Sequence, residues 1–195
     1  MELLMHGTLQ LAILIVAMLS AGYFLCKSFP RTDVFPLRVA QWLVISSMIC
    51  VWDASFVLLR PWSFDHPLWS PYRDYVQVDK LYGDLESDFV WSQSILNVAE
   101  ICVNALALFM LRSGQPRKGA VTALFVCACT ASKTLLYHVM EVSCGLCNVG
   151  HNDAKTLVML YLIPNGIWIA VPILCAFALG KNLAVAAKPG KTKTR

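Results

Sequence analysis

Five apolar runs, each about as long as a membrane-crossing helix, constrain this chain more than any other feature. They cover residues 8–26, 39–59, 89–111, 119–142 and 156–179. A helix needs about 20 mostly apolar residues to cross the hydrocarbon core of a bilayer. Inside lipid the backbone must satisfy its own N–H and C=O groups, so only helices or closed barrels span it. Runs of this length match helices, not the roughly ten-residue strands of a barrel. Composition agrees: 57% of residues are hydrophobic and 14% charged, against about 45–50% and 25% in soluble domains. Residues 1–10 carry no basic leader and no clear small-residue cleavage site follows, so the first run reads as a retained helix, not a signal peptide. The expected fold is all-α: an integral membrane bundle of five transmembrane helices with an ordered aromatic lumenal loop. No internal repeat, low-complexity tract or soluble domain is visible.

Charge orients the bundle. With the C-terminal tail in the cytosol, eleven of the sixteen basic residues fall on that side. Among them are Lys27, Arg31, Arg38, Arg112, Arg117 and Lys118, with a lysine-rich tail from Lys188 to Arg195. Arg60, Arg73, Lys80 and Lys155 fall opposite, and Lys133 lies within a span. This is the positive-inside asymmetry. The expectation is a multi-pass protein of the endoplasmic reticulum with a cytosolic C-terminus.

The segment between the second and third runs, residues 60–88, is the largest outside the spans. It is acidic and rich in Trp and Tyr, residues that suit the membrane–water interface. It reads as an ordered lid; its acids lack the alternate spacing of an EF-hand loop. Six cysteines lie in spans and act as small hydrophobes. Cys144 and Cys147 are outside them, in Cys-Gly-Leu-Cys. A disulfide, a metal site and free thiols all stay open there, although a metal site wants a fourth ligand that is not obvious.

Polar groups inside the spans carry the functional signal, because ionisable residues in a membrane are costly. Asp53, Glu100, Lys133 and Asn165 come from four different spans. At 1.5 Å rise per residue all sit roughly 9–17 Å below the lumenal surface. Gln93, Asn97, Glu100 and Asn104 share one face of the third span, spaced 4, 3 and 4. Lys133, Tyr137 and Glu141 share a face of the fourth. Trp52, Trp91, Tyr137 and Trp168 add aromatics at the same depth. A self-satisfied network gluing the helices together would need only the polar groups. Acids, base, amides and aromatics at one depth favour a ligand cavity. Carboxylates in such a site can act as general acid and base, and an indole face holds a cation. That suits protonation of an alkene, stabilisation of the carbocation and removal of a different proton, with a sterol or terpenoid drawn from the bilayer as substrate. The chain has no GxGxxG, P-loop, HExxH or DDxxD motif. Redox, ATP-driven and diphosphate-ionising chemistry are therefore not expected, nor a cofactor, metal or nucleic-acid partner. Membrane lipid is an expected partner, and a homodimer stays open.

Residues 165–172, Asn-Gly-Ile-Trp-Ile-Ala-Val-Pro, resemble the N-x-x-W-x-x-x-P segment of the emopamil-binding (EXPERA) family. That family includes sterol delta-8/delta-7 isomerase and a sigma-type receptor relative. Trp52-Asp53, the loop LWSPYRDYVQVDKLYGD and the stretch WSQSILNVAE ending on Glu100 resemble further family segments. Coverage is about residues 39–183, bounded by residues 1–38 (first helix and cytosolic loop) and 184–195 (basic tail). The resemblance implies Asp53 and Glu100 as the catalytic acids. Trp168 would hold the cation and Asn165 would position the ligand. Lys133, Asn97, Asn104, Tyr137 and Trp52 join them as ligand-binding candidates on depth and face alone. Two positions depart from the isomerase. Ile49 stands where it has a histidine, and Lys133 has no assigned counterpart. The implied alternative to an isomerase or cyclase is a sterol- or amine-binding receptor on the same fold.

Overall fold

The computed structural model describes residue 13 and residues 16–187. Among these residues the regular structure is helical throughout. We label the helices α1 (Val16–Cys26), α2 (Leu37–Leu58), α3 (Pro71–Val78), α4 (Lys80–Gly83), α5 (Asp88–Arg112), α6 (Pro116–Ser143) and α7 (Ala154–Ala186). Four of them, α2, α5, α6 and α7, are long and apolar enough to cross a membrane. The first expected span is described only in part, as the shorter apolar α1; residues 8–12, 14 and 15 lie outside the described residues. The tail lysines from Lys188 onward also lie outside them.

Local signals set the helix ends. Ser87 caps α5 by accepting from Val90 N–H at 3.3 Å, and Asp88 in the first turn suits the positive end of the helix dipole. Asp153 caps α7 by accepting from the Lys155 and Thr156 N–H groups. α5 and α6 both close with Schellman turns. Gln115 N–H reaches the Met110 carbonyl at 2.9 Å and Leu146 N–H the Glu141 carbonyl at 2.7 Å. The left-handed residues these turns need are Gly114 (φ 73°) and Gly145 (φ 71°). α7 opens with a wider π-helical turn, Leu157–Leu162, which ends beside Pro164. Proline removes a donor from the ladder there.

The long helices pack in sequence: α2 on α5, α5 on α6 and α6 on α7. α2 and α7 touch less, and Trp42 and Trp168 meet across that seam with ring centroids 5.0 Å apart. Two apolar clusters form. One joins Phe35, Val39 and Leu43 to Leu111, Val126 and Leu179, at the end that carries Arg38 and Arg117. The other joins Phe56, Val90, Tyr137 and Tyr161 to Trp69, Tyr72 and Leu81 of the loop. Outward faces stay apolar: Phe109, Phe125, Leu174 and Phe177 are all exposed.

Segment 59–87 is ordered, with two 3₁₀ turns before α3 and α4. It is bolted to α2. Trp69 Nε1 donates to the Trp52 carbonyl at 3.1 Å, Trp52 Nε1 to the Leu68 carbonyl at 3.0 Å, and Tyr72 stacks on Phe56 at 4.0 Å. Segment 144–153 lies against it: His151 Nε2 is 2.7 Å from the Gln77 carbonyl and Asn152 Nδ2 donates to the Val78 carbonyl at 2.8 Å. Cys144 and Cys147 form a disulfide, which settles the three readings of Cys-Gly-Leu-Cys.

Two glycines behave differently. A Cβ on Gly119 would stand 2.8 Å from the Ala107 carbonyl oxygen, so glycine is what lets α6 approach α5. A Cβ on Gly166 would meet nothing within 4 Å, so among the described residues no neighbour requires glycine there. Gly119→Ala is therefore expected to destabilise the protein by about 1–3 kcal/mol through overpacking against backbone. Gly166→Ala is expected to be neutral or to stabilise by up to about 1 kcal/mol. Thermal unfolding in detergent distinguishes them, and equal midpoints for the two variants would contradict this packing.

Candidate functional site

A polar layer lies between the two apolar clusters, and Asp53 of α2 is its hub. Asp53 Oδ1 accepts from the Tyr72 hydroxyl at 2.6 Å and the Tyr82 hydroxyl at 3.1 Å. Its Oδ2 accepts from Asn97 Nδ2 at 3.1 Å. The carbonyl of the same amide, Asn97 Oδ1, accepts from Lys133 Nζ. Lys133 Nζ in turn is 3.1 Å from Glu100 Oε2. Glu100 Oε1 is 3.9 Å from Cys50 Sγ on α2. Charge fixes the direction of the Asn97 amide, because turning it over would set NH₂ against ammonium and C=O against carboxylate. The chain of contacts runs acid, amide, ammonium, acid, across α2, α5 and α6.

The α5 stripe forms as its spacing predicts. Asn97, Glu100 and Asn104 are buried, and half-buried Gln93 donates to the Lys133 carbonyl at 2.9 Å. The ion pair is not sealed evenly: the Glu100 side chain is 5% exposed and that of Lys133 17%. Asp53, Trp52, Asn165 and Trp168 are also only half-buried.

Other expected site residues lie apart from the Asp53–Glu100 chain. The Tyr137 hydroxyl donates to Asp79 Oδ2 of the loop at 2.7 Å. Glu141 is buried and accepts from the side chain and backbone N–H of Asn148. The α6 stripe therefore divides: Lys133 joins the polar layer, while Tyr137 and Glu141 dock the segments that cover it. Trp52 also serves the loop, through Leu68 and through its ring 4.8 Å from Tyr72. Asn165 Nδ2 donates to the Tyr161 carbonyl at 2.9 Å, and its side chain faces the Tyr75 hydroxyl. Trp168 packs on Trp42.

Three contributors were not singled out as site residues from sequence. Tyr72 and Tyr82 read as interface aromatics, and nothing in a loop sequence points a hydroxyl at Asp53. Trp42 carried a signal: it precedes Asp53 by eleven residues, three turns, which puts both on one helix face. A groove of about 780 Å³ lies elsewhere, on the outer side of α6 and α7 between Leu124, Ala131, Ile173 and Phe177. No protein-family profile matches this sequence, and no curated protein matches it significantly.

In the loop, burial pushes the Asp79 carboxyl up to about 6, against the bonds it accepts from Tyr137 and the Leu81 and Tyr82 N–H groups. The ordinary value is 3.8. A carboxyl raised on folding stabilises the docked loop below its unfolded value, and that contribution is lost as pH rises through the folded value. Docking should thus weaken between about pH 4 and 6. Asp79→Asn should flatten the change. Limited proteolysis of segment 59–87 across this range checks it; cleavage independent of pH in the native protein would contradict the assignment.

Proposed function

We propose that this protein is an intramembrane isomerase or non-metal cyclase acting on a sterol or terpenoid-like lipid. The observation that carries the reading is the pairing in the layer: two carboxyl groups, Asp53 and Glu100, share one ammonium, Lys133, so Asp53 can hold the proton the reaction starts with while Glu100 is ionised against Lys133. A layer with an acid to spare, in which Asp53 and Lys133 are only partly buried, is matched to a cation formed from an apolar substrate. Asp53 gives a proton to one alkene carbon. The positive charge moves to the neighbouring carbon and, in a cyclisation, on along the substrate toward the Trp168 indole. Glu100, already a carboxylate paired with Lys133, takes a proton from a different carbon, and a new double bond forms. Asn165 positions the lipid, and Asn97 ties the two acids together. The tyrosines of the loop exclude water that would otherwise trap the cation.

The resemblance of residues 165–172 and of the Asp53 and Glu100 segments to the EXPERA family supports the same reading. The charge asymmetry supports five spans, with the N-terminus and the aromatic loop lumenal, the C-terminus cytosolic and the endoplasmic reticulum as location. The self-contained bonding of the layer favours a second reading, a receptor for sterols or cationic amphiphiles: Asp53 has three donors and Glu100 an ion pair before any ligand arrives.

Turnover separates the two. Membrane-embedded protein incubated with sterols and terpenoids in deuterated water is expected to place deuterium on carbon. Asp53→Asn and Glu100→Gln should each lose about 10²–10⁴-fold in that rate while keeping lipid binding. Bound lipid without deuterium at carbon would leave the receptor. Full activity in both variants would remove these acids from the chemistry.

A further inference from the structure

Asn104 is the deepest polar residue of the α5 stripe and is 1% exposed. Its amide is held in one orientation. Ser47 Oγ gives its only proton to the Leu43 carbonyl at 2.7 Å, so toward Asn104 it can only accept. Asn104 Nδ2 accordingly donates to it at 3.1 Å. That leaves Oδ1 as a pure acceptor, and among the described residues it has no hydrogen-bonding partner. A buried amide carbonyl without a donor is costly, and inside a membrane-spanning bundle few donors are at hand. Asn104 follows Glu100 by four residues, so it lies on the same face, about 6 Å further along the helix axis.

We propose that Asn104 is the polar anchor of the lipid site: its Oδ1 accepts a hydrogen bond from a hydroxyl of the substrate. The inference rests on the reading of the polar layer as a lipid site and adds the class of lipid, an alcohol. The hydroxyl sits about one helical turn below the carbon that meets Glu100. The hydroxyl then sets which carbons face the acids, so Asn104 acts as a specificity-determining residue and takes no part in proton transfer. Ser47 is its support: it fixes the acceptor in place and competes for no ligand proton.

The test uses full-length protein in nanodiscs and two probes, cholest-8-en-3β-ol and its 3-O-methyl ether. The ether keeps the ring system and loses the donor. Displacement of radiolabelled sterol should show the alcohol binding at least about tenfold more tightly than the ether in the native protein. Asn104→Ala should weaken the alcohol by a similar factor and leave the ether unchanged. Ser47→Ala, which frees the amide to turn, should also narrow the gap, and it covers the case in which Asn104→Ala fails to fold. Equal binding of the two probes to the native protein overturns the anchor. So does failure of both to bind, or a preference that survives in every folded variant. Deuterium incorporation is scored on the same samples. Selectivity without incorporation keeps the anchor and removes the isomerase; incorporation without selectivity does the reverse.

Discussion

The amide of Asn97 holds the centre of this structure together. It stands between a carboxylate on α2 and an ammonium on α6, and it gives each the end it needs. Asp53 and Lys133 in lipid would be prohibitive singly, because the interior offers them no water. Joined through Asn97 and completed by Glu100, they become a bonded layer that three helices must share. Helix association in a membrane has little hydrophobic drive, since lipid tails are as apolar as leucine. The layer supplies register instead: sliding α6 by a residue would break both contacts of Lys133, and sliding α2 would break the bond from Asn97 to Asp53.

The apolar clusters and the loop follow from that layer. Below it, α5 and α6 close tightly because Gly119 admits the Ala107 carbonyl. Above it, the loop brings two tyrosine hydroxyls onto Asp53, and Tyr137 reaches up to Asp79 to hold the loop down. The cover is thus locked from both sides, by donors sent down and a donor sent up. Segment 144–153, with its disulfide, braces the outer face of the same cover. The side left less tightly closed is the seam between α2 and α7, where two indoles meet in place of interlocked ridges.

What was legible in the sequence divides along the line between period and distance. The spans come from apolar run length, and the α5 stripe from its helical spacing, because both are local. The depth argument brought Asp53, Glu100 and Lys133 together for the same reason: rise per residue is fixed. It failed to separate Tyr137 from Lys133, since a shared face says nothing about whether a side chain reaches inward or up to a loop. It gave Asn165 and Trp168 the depth of the acids, but Asn165 bonds Tyr161, and Trp168 packs on Trp42, three turns along α2 from Asp53. The loop was the least legible. Its tyrosines find Asp53 through tertiary folding of two short helices, and no spacing in the chain encodes that approach. The first expected span remains an expectation from run length, because only α1 is described.

The layer is hard to explain as a device for stability alone. Replacing a buried ion network with packed apolar side chains is often neutral or stabilising, and in lipid the apolar alternative is especially cheap. A purely adhesive layer would also match its acids to its bases, and this one does not: the carboxyl groups of Asp53 and Glu100 share one ammonium, Lys133. Nor would it leave a buried amide carbonyl unpaired while fixing its orientation through Ser47. Glu100 and the unspent acceptor lie about one turn apart on α5, and Asp53 is bonded to the same face through Asn97. Both features fit the lipid we propose, an apolar molecule that becomes positive near the acids and carries a hydroxyl at one end.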